Sequence, residues 1–407
     1  MELSLTNTNR IERLIQKLKD KAKSEPNYRF YSLWDKAISY PNLTIAYELS
    51  RRNNGAGGVD GISYSQIEKY GIERYLMELA KDLQNKTYKP RPLKVVRIPK
   101  EDGTMRRLGI PTIRDCVAQG AVKQIIEGIF EQDFLECSYA YIHDRGAGQA
   151  VNRLKELLEA GYTHIYQLDI NKFFDSIPHS IIMREVGRRI QDKTIMYQIQ
   201  QWLKAPLQES KRPPRKNKAG TAQGGVISPL LANIVLNRFD QVCVGEKGIK
   251  RTLDIQEVRY ADDIIILSKK PDSTILQKAE EAICELGLSL NKNKTKTVAL
   301  ETGVAIEYLG YELRNDKGQV RVYPSEKAIK GAKGRIRELT KRSSGKQDII
   351  KELEQYIRGW ETYYSQSTER EGLEGIKKYA QEMIGQVKLF STDREYIISE
   401  YENALPL

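Results

Sequence analysis

Tyr260-Ala261-Asp262-Asp263 sets two adjacent carboxylates inside the run Glu257-Val258-Arg259-Tyr260-Ala261-Asp262-Asp263-Ile264-Ile265-Ile266-Leu267, between apolar segments of strand character. Adjacent acids flanked by buried strands are costly unless a cation or another partner neutralises them. The chemistry open to them is therefore to hold a divalent metal against phosphates. The same pair can equally be a tight turn joining two strands. A second acid bears on that choice: Thr163-His164-Ile165-Tyr166-Gln167-Leu168 reads as a strand, ends at Asp169 and is followed by Ile170-Asn171-Lys172-Phe173-Phe174-Asp175. Two strand-end acids can meet in space. In polymerase chemistry, carboxylates that bridge two metals activate a primer 3′ hydroxyl and stabilise the departing pyrophosphate.

Other elements must position these acids. Residues 7–23 interleave Arg10, Arg13, Lys17, Lys19, Lys21 and Lys23 with Ile11, Leu14, Ile15 and Leu18, the pattern of a basic amphipathic helix. Mixed helices and strands are expected up to about residue 160, and Lys89–Arg97 reads as an edge strand because Pro90 and Pro92 cannot donate to a ladder. Residues 205–220 are basic and Pro-rich and read as a mobile loop. Beyond them Ser228-Pro229, followed by Leu230, Leu231, Ile234, Val235, Leu236 and Phe239, predicts a helix capped by Ser228 with proline in its first turn. Between 325 and 400, Lys327, Lys330, Lys333, Arg335, Arg337, Lys341 and Arg342 recur at helical spacing, and an amphipathic segment with Ile349, Ile350, Leu353, Tyr356, Ile357 and Trp360 follows.

Composition narrows the partners. The 66 Lys and Arg against 54 Asp and Glu give a net charge of +12, which attracts an extended phosphate backbone and predicts binding that weakens with salt. The 407 residues, 40% hydrophobic, can bury a substantial core in two or three lobes. No apolar run approaches the roughly 18 residues of a membrane span, and the N-terminus lacks a signal-peptide core, which predicts a cytoplasmic protein with no membrane partner. Cys116, Cys137, Cys243 and Cys284 have no zinc-ribbon spacing, and His143, His164 and His179 do not sit at ligand spacing, against a zinc site or an HNH-type nuclease.

An ordered series of motifs from about residue 50 to 365 resembles the reverse transcriptases of the group II intron type. Arg52–Gly61 and Ile98–Pro111 resemble the fingers blocks. Asp169–Asp175 resembles the first palm motif, Gln223–Ile234 the template and nucleotide block, and Tyr260–Asp263 the metal turn. Asn293-Lys294-Thr295-Lys296 and Tyr308-Leu309-Gly310-Tyr311 resemble the last palm motifs, and Arg358–Tyr364 the thumb signature. Several ordered motifs are far more specific than any one alone.

The resemblance implies an α+β chain of right-hand polymerase architecture, with fingers and palm (antiparallel sheet plus helices) and a helical thumb. The divisions fall at 1–50 (basic helical extension), 51–320 (fingers and palm) and 321–407 (thumb, a truncated maturase-like region). It implies RNA-directed DNA polymerase activity with two Mg²⁺ ions, for which Mn²⁺ could substitute. RNA template, a DNA or RNA primer and deoxynucleoside triphosphates are the implied partners, and the oligomeric state stays open. Asp169 and Asp262 would ligate both ions, with Ile170 beside them and Asp263 contributing less directly. Lys100 and Arg106 would clamp the triphosphate, their charge offsetting what the metals leave uncompensated. Phe174 would crowd the sugar 2′ position and reject ribonucleotides, packing being its alternative role, while Phe173 reads as core. Gln223 would serve the nucleotide, and Gly224 and Gly225, which carry no Cβ, would let backbone approach a templating base, unless they simply make a loop-to-helix turn. Lys294 would serve the departing pyrophosphate or stand as a solvated lysine; Tyr308, Leu309 and Gly310 would face template and primer. The N-terminal helix would grip template RNA or lie solvated, and the thumb cations would track a duplex.

The chain also departs from the pattern. Arg107 and Ala222 stand where proline is usual, and Tyr139-Ala140-Tyr141-Ile142-His143-Asp144-Arg145-Gly146 replaces a Tyr-Gly-Phe-Arg-Pro-Gly-Arg segment. No strongly basic arginine cluster follows Tyr364. These departures lean the expectation toward copying a dedicated noncoding RNA in antiphage defence, with an intron-encoded reverse transcriptase and maturase as the alternative and a non-catalytic RNA-binding scaffold as a third.

Overall fold

The computed structural model describes residues 2–53, 55, 57–99, 103, 105–210, 213–316, 318–341 and 346–385; Lys100 and Arg342 lie outside them. The chain divides into two units. The first comprises Met1–Asp144, Gln167–Ile265 and Asp272–Lys296, the second Arg145–Tyr166, Ile266–Pro271 and Thr297–Leu407. Among the described residues no helix is long and apolar enough to cross a membrane.

Among the described residues ten strands form three sheets, and helices account for most of the rest, giving the α+β class. The strands are β1 (Leu93–Pro99), β2 (Met105–Ile110), β3 (His164–Leu168), β4 (Leu207–Gln208), β5 (Ile255–Tyr260), β6 (Asp263–Ser268), β7 (Lys296–Ala299), β8 (Ala305–Tyr308), β9 (Tyr311–Asp316) and β10 (Gln319–Pro324). The sheet orders are β2-β1-β4, β5-β6-β3-β7 and β10-β9-β8.

In the first unit the helix Ile113–Glu131 runs through the core, with Val117, Ile125, Ile126 and Ile129 all at 0% exposure. Thr112 caps it by accepting from the Asp115 N–H at 3.2 Å. The N-terminal helix Glu2–Ser24 is built as its basic pattern predicts and docks here: Lys19 pairs with Glu131 at 3.3 Å, and Ile11 is buried.

Two local expectations are corrected. β1 is the middle strand of its sheet, paired antiparallel with β2 from Lys94↔Ile110 to Pro99↔Met105 and in parallel with β4 at Leu93 and Lys94. Pro90 and Pro92 precede the strand, so they remove no donor from its ladder. Ser228 is the first residue of the helix Ser228–Cys243 rather than its cap; Ile227 takes the cap position, and the buried Ser228 hydroxyl accepts from Thr221 Oγ1 at 2.8 Å. The burial of that hydroxyl leaves it a side-chain partner in place of a free helix N–H.

In the second unit β8, β9 and β10 make an antiparallel meander. The helix Glu326–Thr340 buries Ala332, Ile336 and Leu339 and leaves Lys327, Lys330, Arg335 and Arg337 exposed, the segregation its sequence spacing predicts. Ile349, Leu353 and Trp360 are the buried stripe of the helix Lys346–Tyr363.

Candidate nucleotidyl-transfer site

The acids are carried by strand ends whose neighbours are almost wholly buried. Ile264, Ile265, Ile266 and Leu267 of β6 are at 0–1% exposure, as is Ile165 of β3, because an interior strand needs apolar residues on both faces. Asp169 follows β3 directly and is half-buried; Ala261 and Asp262 form the two-residue turn between β5 and β6, and Asp263 opens β6. Since β3 neighbours β6, the two strand ends belong to one sheet. Ala261 has φ 56°, the only positive φ in that turn, which is the signature of a hairpin turn with its first central residue left-handed.

Asp263 exposes surface, yet the protein around its carboxyl desolvates it. That loss of water first, then the charge of Asp262, then that of Asp169, push its pKa up to about 6. Three mutually repelling acids fit a bound cation, which would relieve the repulsion, and oxygen-only donors suit a hard divalent ion. Ile170 is buried and bridges to Leu290. The Asp169 carbonyl accepts from the Asn291 N–H at 2.7 Å, so the turn Asn291–Lys294 is tied to the backbone of the first acid and holds the exposed Lys294 near it.

Tyr141 was not singled out by its sequence pattern. It is half-exposed in left-handed backbone, φ 55°, and burial raises its pKa, followed by Tyr260 and Asp262, while Arg106 lowers it. The phenol thus lies within the fields of one acid and of the exposed Arg106 on β2, whose place in the ladder is opposite Ile98. The only advance signal was the altered segment Tyr139–Gly146.

A second cluster forms around Phe174. Phe173 is core at 2% exposure; Phe174 is half-buried and lines a small pocket with Arg107, Gly109, Asp175, Gly220 and Gln223. Arg107 pairs with Asp175 at 3.3 Å, so the replacement of the usual proline supplies an ion pair at this rim. The backbone of Phe174 is fixed by the Thr221 N–H, 2.7 Å from its carbonyl. Gly220, at φ +83°, packs so closely that a Cβ there would meet the Phe174 carbonyl oxygen at 2.5 Å. Gln223 accepts from the Gly109 N–H at 2.9 Å through its carbonyl, and Gly224, φ +116°, lies against the same residue. Gly225 could not carry a Cβ without meeting Ser228 Oγ at 2.6 Å.

Tyr308, Leu309 and Gly310 belong to the second unit. Leu309 (φ 51°) and Gly310 (φ 76°) are the turn between β8 and β9, closed by the pair Tyr308↔Tyr311. Both central residues are left-handed, a conformation usually supplied by Asn-Gly. The Tyr363 hydroxyl donates to the Leu309 carbonyl at 3.0 Å, the Ser325 N–H to that of Gly310 at 2.9 Å, and the ring of Tyr364 stands 4.9 Å from that of Tyr311. Lys100 lies outside the described residues, so its expected place beside Arg106 is not described.

The sequence profile of Reverse transcriptase (RNA-dependent DNA polymerase) matches residues 98–313, and that of Group II intron, maturase-specific domain matches residues 329–388. Protein YkfC of Escherichia coli (strain K12) is 31% identical over 360 residues, covering 78% of this chain and 93% of that protein. Group II intron-encoded protein LtrA of Lactococcus lactis subsp. cremoris is 27% identical over 329 residues, covering 66% of this chain and 54% of LtrA, so the match spans about half of that relative. The putative COX1/OXI3 intron 2 protein of Saccharomyces cerevisiae is 29% identical over 339 residues, 69% of this chain and 38% of that protein.

Proposed function

Because this chain belongs to the reverse transcriptase family and is an RNA-directed DNA polymerase of the group II intron type, we propose that it extends a primer with deoxynucleotides by two-metal-ion transfer. RNA template binding and dependence on a divalent metal come with the family. The ions would be Mg²⁺, with Mn²⁺ as a substitute; Asp169 and Asp262 would hold both, with Asp263 contributing less directly and Ile170 beside them. When bound, they supply Lewis-acid activation of the primer hydroxyl and neutralise charge on the leaving pyrophosphate.

The chain's own groups bind and orient. Lys100 and Arg106 grip the triphosphate, Phe174 screens the sugar 2′ position, and Gln223 holds the nucleotide. Gly224 and Gly225 give backbone access to the templating base, and Lys294 faces the pyrophosphate. Tyr308, Leu309 and Gly310 face template and primer, and the cations of Glu326–Thr340 follow the duplex. The functional division keeps an extension at 1–50, fingers and palm at 51–320 and a thumb from 321.

The observation that carries this reading is geometric: Asp169 ends β3, and Asp262 and Asp263 stand at the turn into β6, its neighbour in the same sheet. Primer extension on poly(rA)/oligo(dT) with Mg²⁺ tests it. Synthesis is expected from the wild type and none from Asp262→Ala; equal synthesis by both removes the site, and none from the wild type favours an RNA-binding scaffold.

The maturase-specific match at 329–388 favours service to an intron RNA, in mobility or splicing. The departures at Arg107, Ala222 and Tyr139–Gly146 favour the second setting, copying of a dedicated noncoding RNA in antiphage defence. Sequencing RNA that copurifies from cells separates them: an intron lariat supports the first, a short structured RNA the second.

A further inference from the structure

Under the turn that carries Asp262 lies a charged group with no part in the chemistry so far assigned. Arg259 is at 0% exposure and is the largest of the fully buried side chains among the described residues. Its Nε and Nη2 donate to the two carboxylate oxygens of Asp240, also fully buried, at 2.7 and 2.6 Å. Its Nη1 donates to the carbonyl of Ala261 and to Asn233 Oδ1, both at 3.1 Å. Asn233 is fixed in turn, its Nδ2 donating to the Ala140 carbonyl at 2.6 Å. The backbone of Arg259 is clasped as well, its N–H donating to the Cys137 carbonyl at 2.7 Å and its own carbonyl accepting from the Tyr139 N–H at 2.9 Å.

Beside this pair, Cys137, Asp240 and Glu257 bring one donor atom each within 4.8 Å of one another, the one such set among the described residues. It is not a metal centre. Both Asp240 oxygens already face the guanidinium, burial pushes the Cys137 thiol well up, and burial followed by the charge of Asp240 does the same to the Glu257 carboxyl. A cation would have to displace the guanidinium from Asp240. The group is instead a closed ion pair with a third buried acid beside it.

What it touches at the surface of the site is one atom, the Ala261 carbonyl. Ala261 carries a Cβ in left-handed backbone, which persists only where the surroundings over-determine it. Asp262 leaves the turn from the far side of that same peptide. We propose that Arg259, held by Asp240 and Asn233, is the positioning residue of the catalytic turn: one Nη1 N–H fixes the Ala261 carbonyl and so sets the direction in which Asp262 presents its carboxylate to metal. Arginine suits the task because a rigid fork can serve a bidentate carboxylate and still point a third donor elsewhere, which a lysine ammonium cannot do with fixed geometry. The inference rests on the reading of Asp262 as a metal ligand.

The test uses the full chain with the pair replaced by apolar groups of similar volume, Arg259→Met with Asp240→Leu, a change that commonly leaves folding intact. Primer extension is measured at saturating deoxynucleotide while Mg²⁺ is titrated, alongside the thermal midpoint and RNA binding. The expected result is a folded, RNA-binding protein whose half-saturating Mg²⁺ concentration rises and whose kcat falls, by about 10-fold or more, as for lost support of a metal ligand. A lowered thermal midpoint with unchanged Mg²⁺ dependence and kcat overturns the proposal, since mere packing does not alter metal affinity. Should the double variant fail to fold, Asn233→Leu keeps the ion pair and removes the acceptor that orients Nη1; a rise in half-saturating Mg²⁺ smaller than the roughly 10-fold of a lost supporting partner is expected, and no shift overturns the proposal. An active Asp262→Ala enzyme would instead remove the underlying site reading, so the two failures are distinct.

Discussion

Ala261, between β5 and β6, and Leu309, between β8 and β9, are both non-glycine residues held in left-handed backbone, at φ 56° and 51°, in two-residue hairpin turns. The first is held from beneath by a fully buried guanidinium that reaches the carbonyl of the strained residue. The second is held by an aromatic group: Tyr311 and Tyr363 are stacked with centroids 5.8 Å apart, Tyr364 packs 4.5 Å from Trp360, and one phenol reaches the Leu309 carbonyl. A residue with a side chain costs about 1–2 kcal/mol in this conformation, so each turn needs a support. The supports differ in how they fail. A buried ion pair loses everything when one member goes, whereas a ring cluster loses contact by increments.

The largest expected effect breaks the ionic support. Arg259→Leu alone strands Asp240 as an uncompensated buried charge and is expected to cost about 3–5 kcal/mol in a urea titration; a loss under about 1 kcal/mol would mean that Asp240 finds another partner or a proton. Next comes pH. The Glu257 carboxyl has its folded pKa raised above the ordinary 4.5, so the stability it allows is complete below that value and is lost as pH rises through the folded pKa. Wild type should therefore lose up to about 1.4 kcal/mol per pH unit across that window relative to Glu257→Gln, and parallel stability curves for the two would show that Glu257 is already ionised. The smallest effect tests the aromatic support. Tyr363→Phe removes one hydroxyl on a half-exposed ring and should cost about 0.5 kcal/mol, with faster hydrogen exchange confined to residues 305–316. A global loss several times larger would make the second turn as brittle as the first and erase the contrast.

The acids were legible because they stand next to one another, or at the end of an apolar strand, and because the blocks around them keep their order along the chain. The support was not. Arg259 sits in Gln256-Glu257-Val258-Arg259-Tyr260, where a polar residue in a strand reads as facing water, and its partners Asp240 and Asn233 lie on a helix whose pattern shows only its apolar stripe. Nothing in periodicity says that a charge is buried when its neutralising partner is distant in sequence. The place of β1 failed for a different reason: two prolines suggested an edge, but strand boundaries are the least secure part of such a reading, and both prolines fall just outside the ladder. Tyr141 stayed hidden because its relation to Arg106 and Asp262 is made only by folding.

Gly220 has no side chain to offer a substrate, yet the backbone of Phe174 and Asp175 rests directly on it. Even a methyl group at that position would have to displace the segment from which the aromatic ring projects. In its proposed role as the sugar screen, Phe174 is thus calibrated by a residue that never meets a nucleotide, and the choice between DNA and RNA precursors can drift during evolution through a position that an inventory of ligand contacts would pass over.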